Sequence, residues 1–335
     1  MQPTRRRGTT RRRFLAQAAG GVAGSLFAIR SGMAVPPAGS KAGMHYRRLG
    51  RTELMVSEIG FGGHHKSKSR EDRAKCAKQA FDLGINFFDA FHACYGHKEI
   101  EEMGEILRDV GRPKDTYVAC HLWFFRKYYT MKDIEKTLKI LNAEVIDIGW
   151  LSASHGCTLN DDTVQAAIKA KKQGKLRFIG VTGHEAIPVI RSIQYDVFDC
   201  LLYPYSYGFE RAKEKIIPLA KQRDMGMVAI KPFRAGAVLK NASGLKALGE
   251  RMGIGHLTPP QINLRFILSQ PAVATTVPGM AQPEWVVENA QASIGDHKVT
   301  RRELGFLKAA QRRFPDRLTR RTAFLHQWRT PTAEA

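Results

Sequence analysis

Short apolar segments alternate eight times with longer amphipathic segments along most of this chain, and this alternation restricts the fold more than any other feature. The apolar segments are rich in β-branched and aromatic residues, whereas the longer segments show helical periodicity. Eight strands that alternate with helices predict one closed parallel barrel, a (β/α)8 TIM barrel of the α/β class. The predicted strands cover residues 57–62, 85–90, 116–122, 145–151, 176–182, 198–203, 227–232 and 273–278.

Three further segments flank or interrupt the predicted barrel. Residues 46–56 predict a short hairpin before the first strand, and residues 300–313 predict a closing helix. The stretch 235–257 follows the seventh strand and is predicted as a loop over the barrel mouth. The expected regions are a signal peptide (1–34), a linker (35–44), the barrel (45–315) and a basic C-terminal tail (316–335).

The N-terminal segment predicts export. It holds no acidic residue over positions 1–43, and Arg11 and Arg12 precede a mildly apolar run over residues 14–29. Paired arginines before such a run are typical of a twin-arginine signal peptide, and the run is shorter than the roughly 20 apolar residues of a membrane-spanning helix. Small residues end at Ala34, where we expect cleavage. We therefore expect a periplasmic or otherwise exported protein that meets the twin-arginine translocation machinery and is not an integral membrane protein.

Composition excludes several other classes of protein. The chain has 53 Lys and Arg against 31 Asp and Glu, a formal net charge of +22. These basic residues are spread over many helices without a stripe that interleaves them with aromatics, which argues against nucleic acid as a partner. The 5 cysteines are odd in number and form no CxxC pair. Neither a disulfide framework nor a closed zinc or iron–sulfur site is therefore expected.

Motifs around the predicted strands resemble those of the aldo-keto reductases, in the bacterial subgroup that carries export leaders. They follow the family order over nearly the whole barrel, and begin at Tyr46 (YRRLGRT), Val56 (VSEIGFG), Gly84 (GINFFD), Gly174 (GKLRFIGVTGH), Ala229 (AIKP) and Val277 (VPGM). The resemblance implies the barrel fold and hydride transfer between NADP(H) and a small carbonyl or alcohol. Sugar derivatives are among the expected small-molecule substrates.

The resemblance also implies catalytic positions, because the family uses an aspartate, a proton-donating tyrosine, a lysine and a histidine. Asp89 matches the aspartate, and Tyr95 is the best match for the tyrosine. His121 stands where the lysine is expected, and Ser152 stands where the histidine is expected, with His155 three residues later. In the predicted mechanism Tyr95 transfers the proton beside Asp89 and a protonated His121. His155 orients the substrate, and activity falls as the pH rises through neutrality, because histidine loses its charge near pH 6.5.

The predicted cofactor site has a retained end and an altered end. The segment after the eighth strand keeps the residues that, in the family, meet the adenosine phosphate and adenine. At the nicotinamide end, Thr182 and Gly183 replace a usual Ser-Asn pair, and Leu202 replaces a usual glutamine. The predicted NADP-binding residues are Thr182, Gly183, His184, Lys231, Pro278, Gly279, Met280, Glu288 and Asn289.

Histidines that follow several predicted strands leave two other functions open. His64, His92, His121 and His155 all fall on the C-terminal face of the barrel, where imidazoles can ligate a divalent metal ion. A metal-dependent hydrolase, lyase or isomerase on the same barrel is therefore the first alternative to the oxidoreductase. The second alternative is a catalytically silent barrel that binds a small ligand without turnover.

Overall fold

The computed structural model describes residues 43–63, 69–92, 97–111, 114–122, 130–153, 162–239 and 241–313. For residues 90–92, 97–99, 235, 237 and 238 it describes the backbone. The predicted signal peptide and basic tail lie outside these ranges. None of the helices within them is long and apolar enough to cross a bilayer.

The strands of the described ranges form a two-stranded antiparallel hairpin and an eight-stranded parallel sheet. In the hairpin, Tyr46 pairs with Ser57 and Arg48 pairs with Met55. The strands are β1 (Tyr46–Arg48), β2 (Met55–Ser57), β3 (Phe61–Gly62), β4 (Phe87–His92), β5 (Tyr117–His121), β6 (Ile146–Ser152), β7 (Leu176–Thr182), β8 (Cys200–Pro204), β9 (Gly226–Ile230) and β10 (Val273–Thr276).

The eight-stranded sheet closes into a barrel. Its strands follow chain order from β3 to β10, and each neighbouring pair is parallel. Two parallel bridges, Ile59 to Thr276 and Gly62 to Gly279, join the first strand segment to the last. Gly62 permits this approach, because a Cβ at this position would lie 2.6 Å from the carbonyl oxygen of Pro278. The predicted (β/α)8 TIM barrel is confirmed.

Helices connect the barrel strands and cover the sheet. Those of the described ranges are α1 (Arg70–Asp82), α2 (His97–Asp109), α3 (Met131–Leu141), α4 (Asp162–Lys172), α5 (Ala186–Ile193), α6 (Ile216–Gln222), α7 (Ala242–Arg251), α8 (Pro259–Leu268), α9 (Pro283–Ala290) and α10 (Arg301–Arg313). Thr130 and Asp133 form a capping box at the start of α3, and Thr258 and Gln261 form another at the start of α8. Such boxes satisfy backbone N–H groups that have no partner in the first helical turn.

Alternation along the strands separates the barrel interior from the layer beneath the helices. On β6, Ile148 and Trp150 belong to the interior apolar cluster, whereas Leu151 packs in the outer layer with residues of the helices. Other strand residues of the interior cluster are Phe87, Ala119, Cys200, Leu202, Val228 and Ala274. A side chain that continues one of these interior rows at the C-terminal end of its strand therefore points into the barrel mouth.

The β1–β2 hairpin closes the N-terminal end of the barrel. Leu49, Leu54 and Val56 are buried members of the interior cluster. Arg47 anchors the hairpin, because its guanidinium donates a hydrogen bond of 2.9 Å to the carbonyl oxygen of Val273. Apolar side chains thus fill the barrel interior from the hairpin at its N-terminal end toward the mouth.

A buried ion pair network lies at the same end, around Glu58. Nε of Arg47 is 2.5 Å from Oε1 of Glu58, Nε2 of His297 is 2.8 Å from Oε2, and the Ser293 hydroxyl donates to Oε2 over 2.8 Å. Burial alone raises the pKa of Glu58, but the hydrogen bond from His297 and the charge of Arg47 outweigh it, so the pKa is lowered. The hydrogen bond to Glu58 raises the pKa of His297. The hairpin is thereby tied to the segment before α10.

Two predictions of local structure are wrong. The stretch 235–257, predicted as a loop, contains the whole of α7, with most of a 3-10 helix (Arg234–Leu239) before it. Leu245 and Leu248 are buried, and a Cβ at Gly249 would lie 3.8 Å from the Phe306 ring of α10, so tertiary packing stabilises this helix. The predicted strand 57–62 is divided between the end of β2 and the short β3. The hairpin and the closing helix are confirmed.

Candidate active site

Four buried polar side chains point into the barrel mouth. Asp89, His121, Ser152 and Thr182 lie toward the C-terminal ends of β4, β5, β6 and β7. Each continues the interior row of its strand, so alternation directs it inward. Enzymes built on this barrel place their active sites at this end. The mouth is therefore the candidate active site.

The carboxylate of Asp89 and the imidazole of His121 are in contact. Nε2 of His121 lies 3.2 Å from Oδ1 of Asp89, and the two side chains are only 8% and 4% exposed, respectively. A carboxylate at hydrogen-bond distance fixes the orientation of an imidazole and the nitrogen that carries its proton. The two residues that the sequence predicts as a catalytic pair are brought together, because β4 and β5 are neighbours in the sheet.

Trp150, which the sequence does not predict as a site residue, also hydrogen-bonds to Asp89. The indole Nε1 of Trp150 donates a hydrogen bond to Oδ1 of Asp89 over 3.0 Å. Gly180 on β7 makes room for the indole, because a Cβ there would lie 2.1 Å from Cζ3 of the ring. Trp150 stands two residues before Ser152 on β6, so the alternation of that strand is the signal that could have identified it.

His184 and Lys231 add two titratable groups at the C-terminal end of the barrel. His184 follows β7, and Lys231 directly follows β9. Burial, the charge of Lys231 and that of His121 lower the pKa of His184 to about 4, and its Nε2 is inaccessible to solvent. Burial also lowers the pKa of Lys231, while the nearby carboxylate of Asp89 opposes this effect. The lowered pKa leaves His184 neutral near pH 7.

The predicted adenosine end follows β10, next to Lys231 on the neighbouring strand. Gly279 directly follows Pro278 and is half-buried. Met280 is fully buried in the outer apolar layer, so only its backbone can face a ligand. On α9, Glu288 is half-buried and Asn289 is buried.

Two residues at the predicted nicotinamide end are explained by packing. A Cβ at Gly183 would lie 2.6 Å from Cγ2 of Val189 on α5, so helix packing requires glycine there. Leu202, at the position of the usual glutamine, is fully buried in the interior cluster. Thr182, by contrast, is at the end of β7 and continues its inward-facing row of side chains, so it points into the mouth.

The remaining predicted site residues lie beyond what the structure describes. Tyr95, His155 and His64 are outside the described ranges. The backbone of His92 pairs with that of His121, but its side chain is outside the described part of the chain. Within that part, no group of three or more His, Cys, Asp or Glu residues is arranged to hold a metal ion.

The fold and the mouth together define a (β/α)8 barrel whose C-terminal end gathers buried acid–base groups, as in barrel enzymes. Residues 58–305, more than half of the chain, match the Aldo/keto reductase family. The chain belongs to this family, and its homologues indicate an oxidoreductase.

Individual relatives are distant but extend over most of the chain. The uncharacterized oxidoreductase YqkF of Bacillus subtilis is 23% identical, over 79% of this chain and 96% of YqkF. The L-galactose dehydrogenase of Arabidopsis thaliana is 24% identical, over 73% of this chain and 87% of that protein. The solved structure of an aldo/keto reductase from Klebsiella pneumoniae in complex with NADP and acetate has a TM-score of 0.67 at 20% identity, covering 82% of this chain and 97% of its own. The structural likeness supports the fold.

Proposed function

We propose that this protein is an NADP(H)-dependent oxidoreductase that transfers hydride between the cofactor and a small carbonyl or alcohol. The observation that carries the proposal is the contact of Asp89 with His121 in the barrel mouth. A carbonyl carbon that accepts hydride requires a proton at its oxygen, so the site needs groups that hold and move a proton. Membership of the aldo/keto reductase family supports hydride transfer as the chemistry of this mouth.

NADP(H) supplies the hydride when it is bound, and the described residues fit this group. Gly279 offers a half-buried backbone directly after β10. Trp285 is 44% exposed on α9, one helical turn before Glu288, and an exposed aromatic face suits an adenine ring. Lys231 supplies positive charge on the neighbouring strand. The NADP complex of the Klebsiella pneumoniae relative supports this choice of cofactor.

The proton comes from Tyr95 in the proposed reaction. A phenol has a reference pKa of about 10, so it releases a proton near neutral pH only beside positive charge. In the proposed reaction, His121 beside Asp89 replaces the usual lysine in support of proton transfer by Tyr95, and His155 has the role of orienting the substrate carbonyl. His184 is neutral near pH 7, so it adds a polar group without adding charge.

The polarity of the mouth supports a hydroxylated substrate. Ser152 and Thr182 bring hydroxyl groups to the ends of β6 and β7, and polar groups of this kind hydrogen-bond to hydroxylated ligands. A relative that is an L-galactose dehydrogenase supports the same class. We therefore propose sugar-derived carbonyl compounds and alcohols as the first substrates to test.

The test is cofactor binding and turnover by the purified protein. We expect NADPH to bind more tightly than NADH, and to be oxidised in the presence of small aldehydes or aldoses. Asp89→Asn removes the charge of the carboxylate and should lower kcat/KM about 100-fold or more. Lys221→Met, on the exposed side of α6, is the control and should leave kcat/KM unchanged. A folded protein that neither binds nor oxidises reduced dinucleotides would overturn the proposal.

We also propose export through the twin-arginine pathway, with the protein working in the periplasm. The support is the pair Arg11 and Arg12 before the apolar run over residues 14–29. Signal-peptide cleavage after Ala34 would leave the whole barrel in the mature chain. The corresponding experiment is given in the Discussion.

A further inference from the structure

The exposed side of α10, the closing helix, carries a row of basic side chains. Arg301, Lys308 and Arg312 lie within about 40° of one another around the helix axis, because their spacings are close to whole turns of 3.6 residues. All three are exposed, whereas Phe306 and Leu307 on the opposite side pack in the outer apolar layer. These three residues, which we call the basic stripe, present their charges in one direction over about 16 Å of helix.

Carboxylates do not neutralise the basic stripe. Glu303, the one acidic residue of α10, is buried and pairs with Arg265 of α8. Within the part of the chain that the structure describes, no carboxylate lies within ion-pair distance of Arg301, Lys308 or Arg312. The three charges therefore attract anions from the solvent.

The exposed lysines of α3 differ in this respect. Lys132, Lys136 and Lys139 are also exposed, but Asp133 and Glu135 lie among them on the same helix. Opposite charges on one helix weaken the field that reaches a partner. The lysines of α3 therefore form a matched comparison for the basic stripe, with the same number of cations on a helix of mixed charge.

Apolar groups belong to the same surface of α10. Leu304 stands one helical turn from Arg301 and one from Lys308, and it is 38% exposed. An open groove of about 420 Å³ lies between α7 and α10. The groove is lined by Leu248, Gly305, Lys308, Ala309, Arg312 and Arg313. Two members of the basic stripe thus also line the groove, and the surface offers apolar contact together with positive charge.

We propose that the basic stripe and Leu304 form a docking surface for a membrane whose lipids carry anionic headgroups. Such headgroups attract clustered Lys and Arg side chains, and apolar side chains at the same surface enter the boundary between headgroups and acyl chains. A nucleic acid or an acidic protein matches the charges, whereas a lipid layer also matches Leu304 and the apolar part of the groove. The contact is peripheral and reversible, since three charges and one leucine make a weak anchor.

The first experiment is binding of the purified protein to lipid vesicles. The full chain and the chain that begins at Val35 are both measured, because a signal peptide itself enters lipid, and the shorter chain decides the outcome. We expect it to sediment with mixed vesicles of phosphatidylcholine and phosphatidylglycerol, and to be released at about 1 M salt, where the Debye length is about 3 Å. Absence of binding to mixed vesicles, or equal binding to phosphatidylcholine alone, overturns the proposal. The result is independent of turnover.

The second experiment locates the surface with two triple variants that remove the same charge. They are Arg301→Gln with Lys308→Gln and Arg312→Gln on α10, and Lys132→Gln with Lys136→Gln and Lys139→Gln on α3. We expect the α10 variant to bind mixed vesicles at least about 10-fold more weakly than the wild type, and the α3 variant less than about threefold more weakly. Both change exposed side chains, so thermal unfolding should remain close to that of the wild type. Equal losses of binding would mean that net charge alone drives it, and would overturn the proposal.

The third experiment separates a lipid surface from an acidic protein. Leu304→Gln removes the apolar contact and keeps the basic stripe, so it should weaken binding to mixed vesicles about threefold or more. Leu239→Gln changes a second exposed leucine and is the control, which should bind as the wild type does. An unchanged affinity of Leu304→Gln, with a loss in the α10 triple variant, would mean contact through charge alone. That result fits an acidic protein and overturns the choice of a membrane.

Discussion

Trp150 donates its indole N–H to the carboxylate of Asp89 over 3.0 Å, so the group that orients His121 is itself held from inside the barrel. Trp150 is fully buried and cannot shift without disturbing the interior cluster. The position of the carboxylate therefore depends on the packing of the barrel as well as on its neighbours in the mouth.

Replacing Trp150 by phenylalanine tests this dependence. The change removes the N–H donor to a buried carboxylate and keeps an aromatic ring, so the free energy of unfolding should fall by about 1 to 3 kcal/mol. The measurement is denaturant unfolding near neutral pH. Trp285→Phe on the exposed side of α9 is the matched control, for which we expect a change below about 0.5 kcal/mol. Equal effects of the two substitutions would contradict the structural role of Trp150.

Position 121 tests the identity of the group beside Asp89. Lysine is the residue that the family resemblance expects there, and its charge persists to higher pH than that of an ordinary histidine. We expect His121→Lys to retain turnover with a fall in activity at higher pH than in the wild type, and His121→Phe to lose about 10-fold or more in kcat/KM. Coinciding pH profiles of wild type and His121→Lys would show that the charge at this position does not limit the reaction.

Stability at acid pH should depend on His184. Its pKa is lowered from 6.5 to about 4 in the folded protein, so the unfolded chain binds the proton more tightly. The stability contributed by the neutral ring is therefore complete above pH 6.5 and is lost as the pH falls through about 4, in total about 3 kcal/mol. His184→Asn should lack this part of the acid loss. The check is the free energy of unfolding of both proteins measured across this range, and parallel curves would contradict the prediction.

His297 should show the opposite dependence on pH. Its pKa is raised by the hydrogen bond to Glu58, so its contribution is present below the unfolded value and is lost as the pH rises through the folded value. We expect His297→Gln to cost about 1 kcal/mol more at about pH 5.5 than at about pH 8.5. His256→Gln, at an exposed histidine, is the control and should show no such difference. A cost that does not vary with pH would mean that the proton on His297 adds nothing to stability.

Export can be tested at the arginine pair. Replacing both Arg11 and Arg12 by lysine keeps the charge but removes the twin-arginine signature. We expect the wild-type chain in the periplasmic fraction in its shortened form, and the double variant in the cytoplasm at full length. Cell fractionation with mass measurement of the intact protein decides the point. Export of the double variant at the wild-type level would exclude the twin-arginine route.

Much of the barrel could be predicted from the sequence because each strand and helix has its own periodicity. Consecutive strands of a parallel barrel are neighbours, so the prediction of strands ending near Asp89 and His121 also predicted their contact. Trp150 could have been found in the same way by following the inward-facing positions of β6 back from Ser152 into the barrel. Its partner Asp89 lies 61 residues earlier in the chain, a separation that local patterns do not bridge.

Other features depend on tertiary structure and were out of reach of a periodicity argument. The segment of α7 contains Gly244 and Gly249, which weaken an isolated helix, and it folds because Leu245 and Leu248 are buried. The left-handed backbone of Lys231 directly after β9 is likewise absent from the periodicity of the strand, and the effect of its charge on the pKa of His184 joins residues 47 positions apart in the chain.

The β1–β2 hairpin and the packed interior above it leave the mouth as the route by which ligands reach the described site. Two molecules that occupy such a site together share one passage, so the deeper of them must arrive first and depart last. The order in which two such ligands bind is then determined by the shape of the barrel and not by their relative affinities. The release of the deeper molecule sets an upper limit on the rate of the whole cycle, however fast the chemical step becomes.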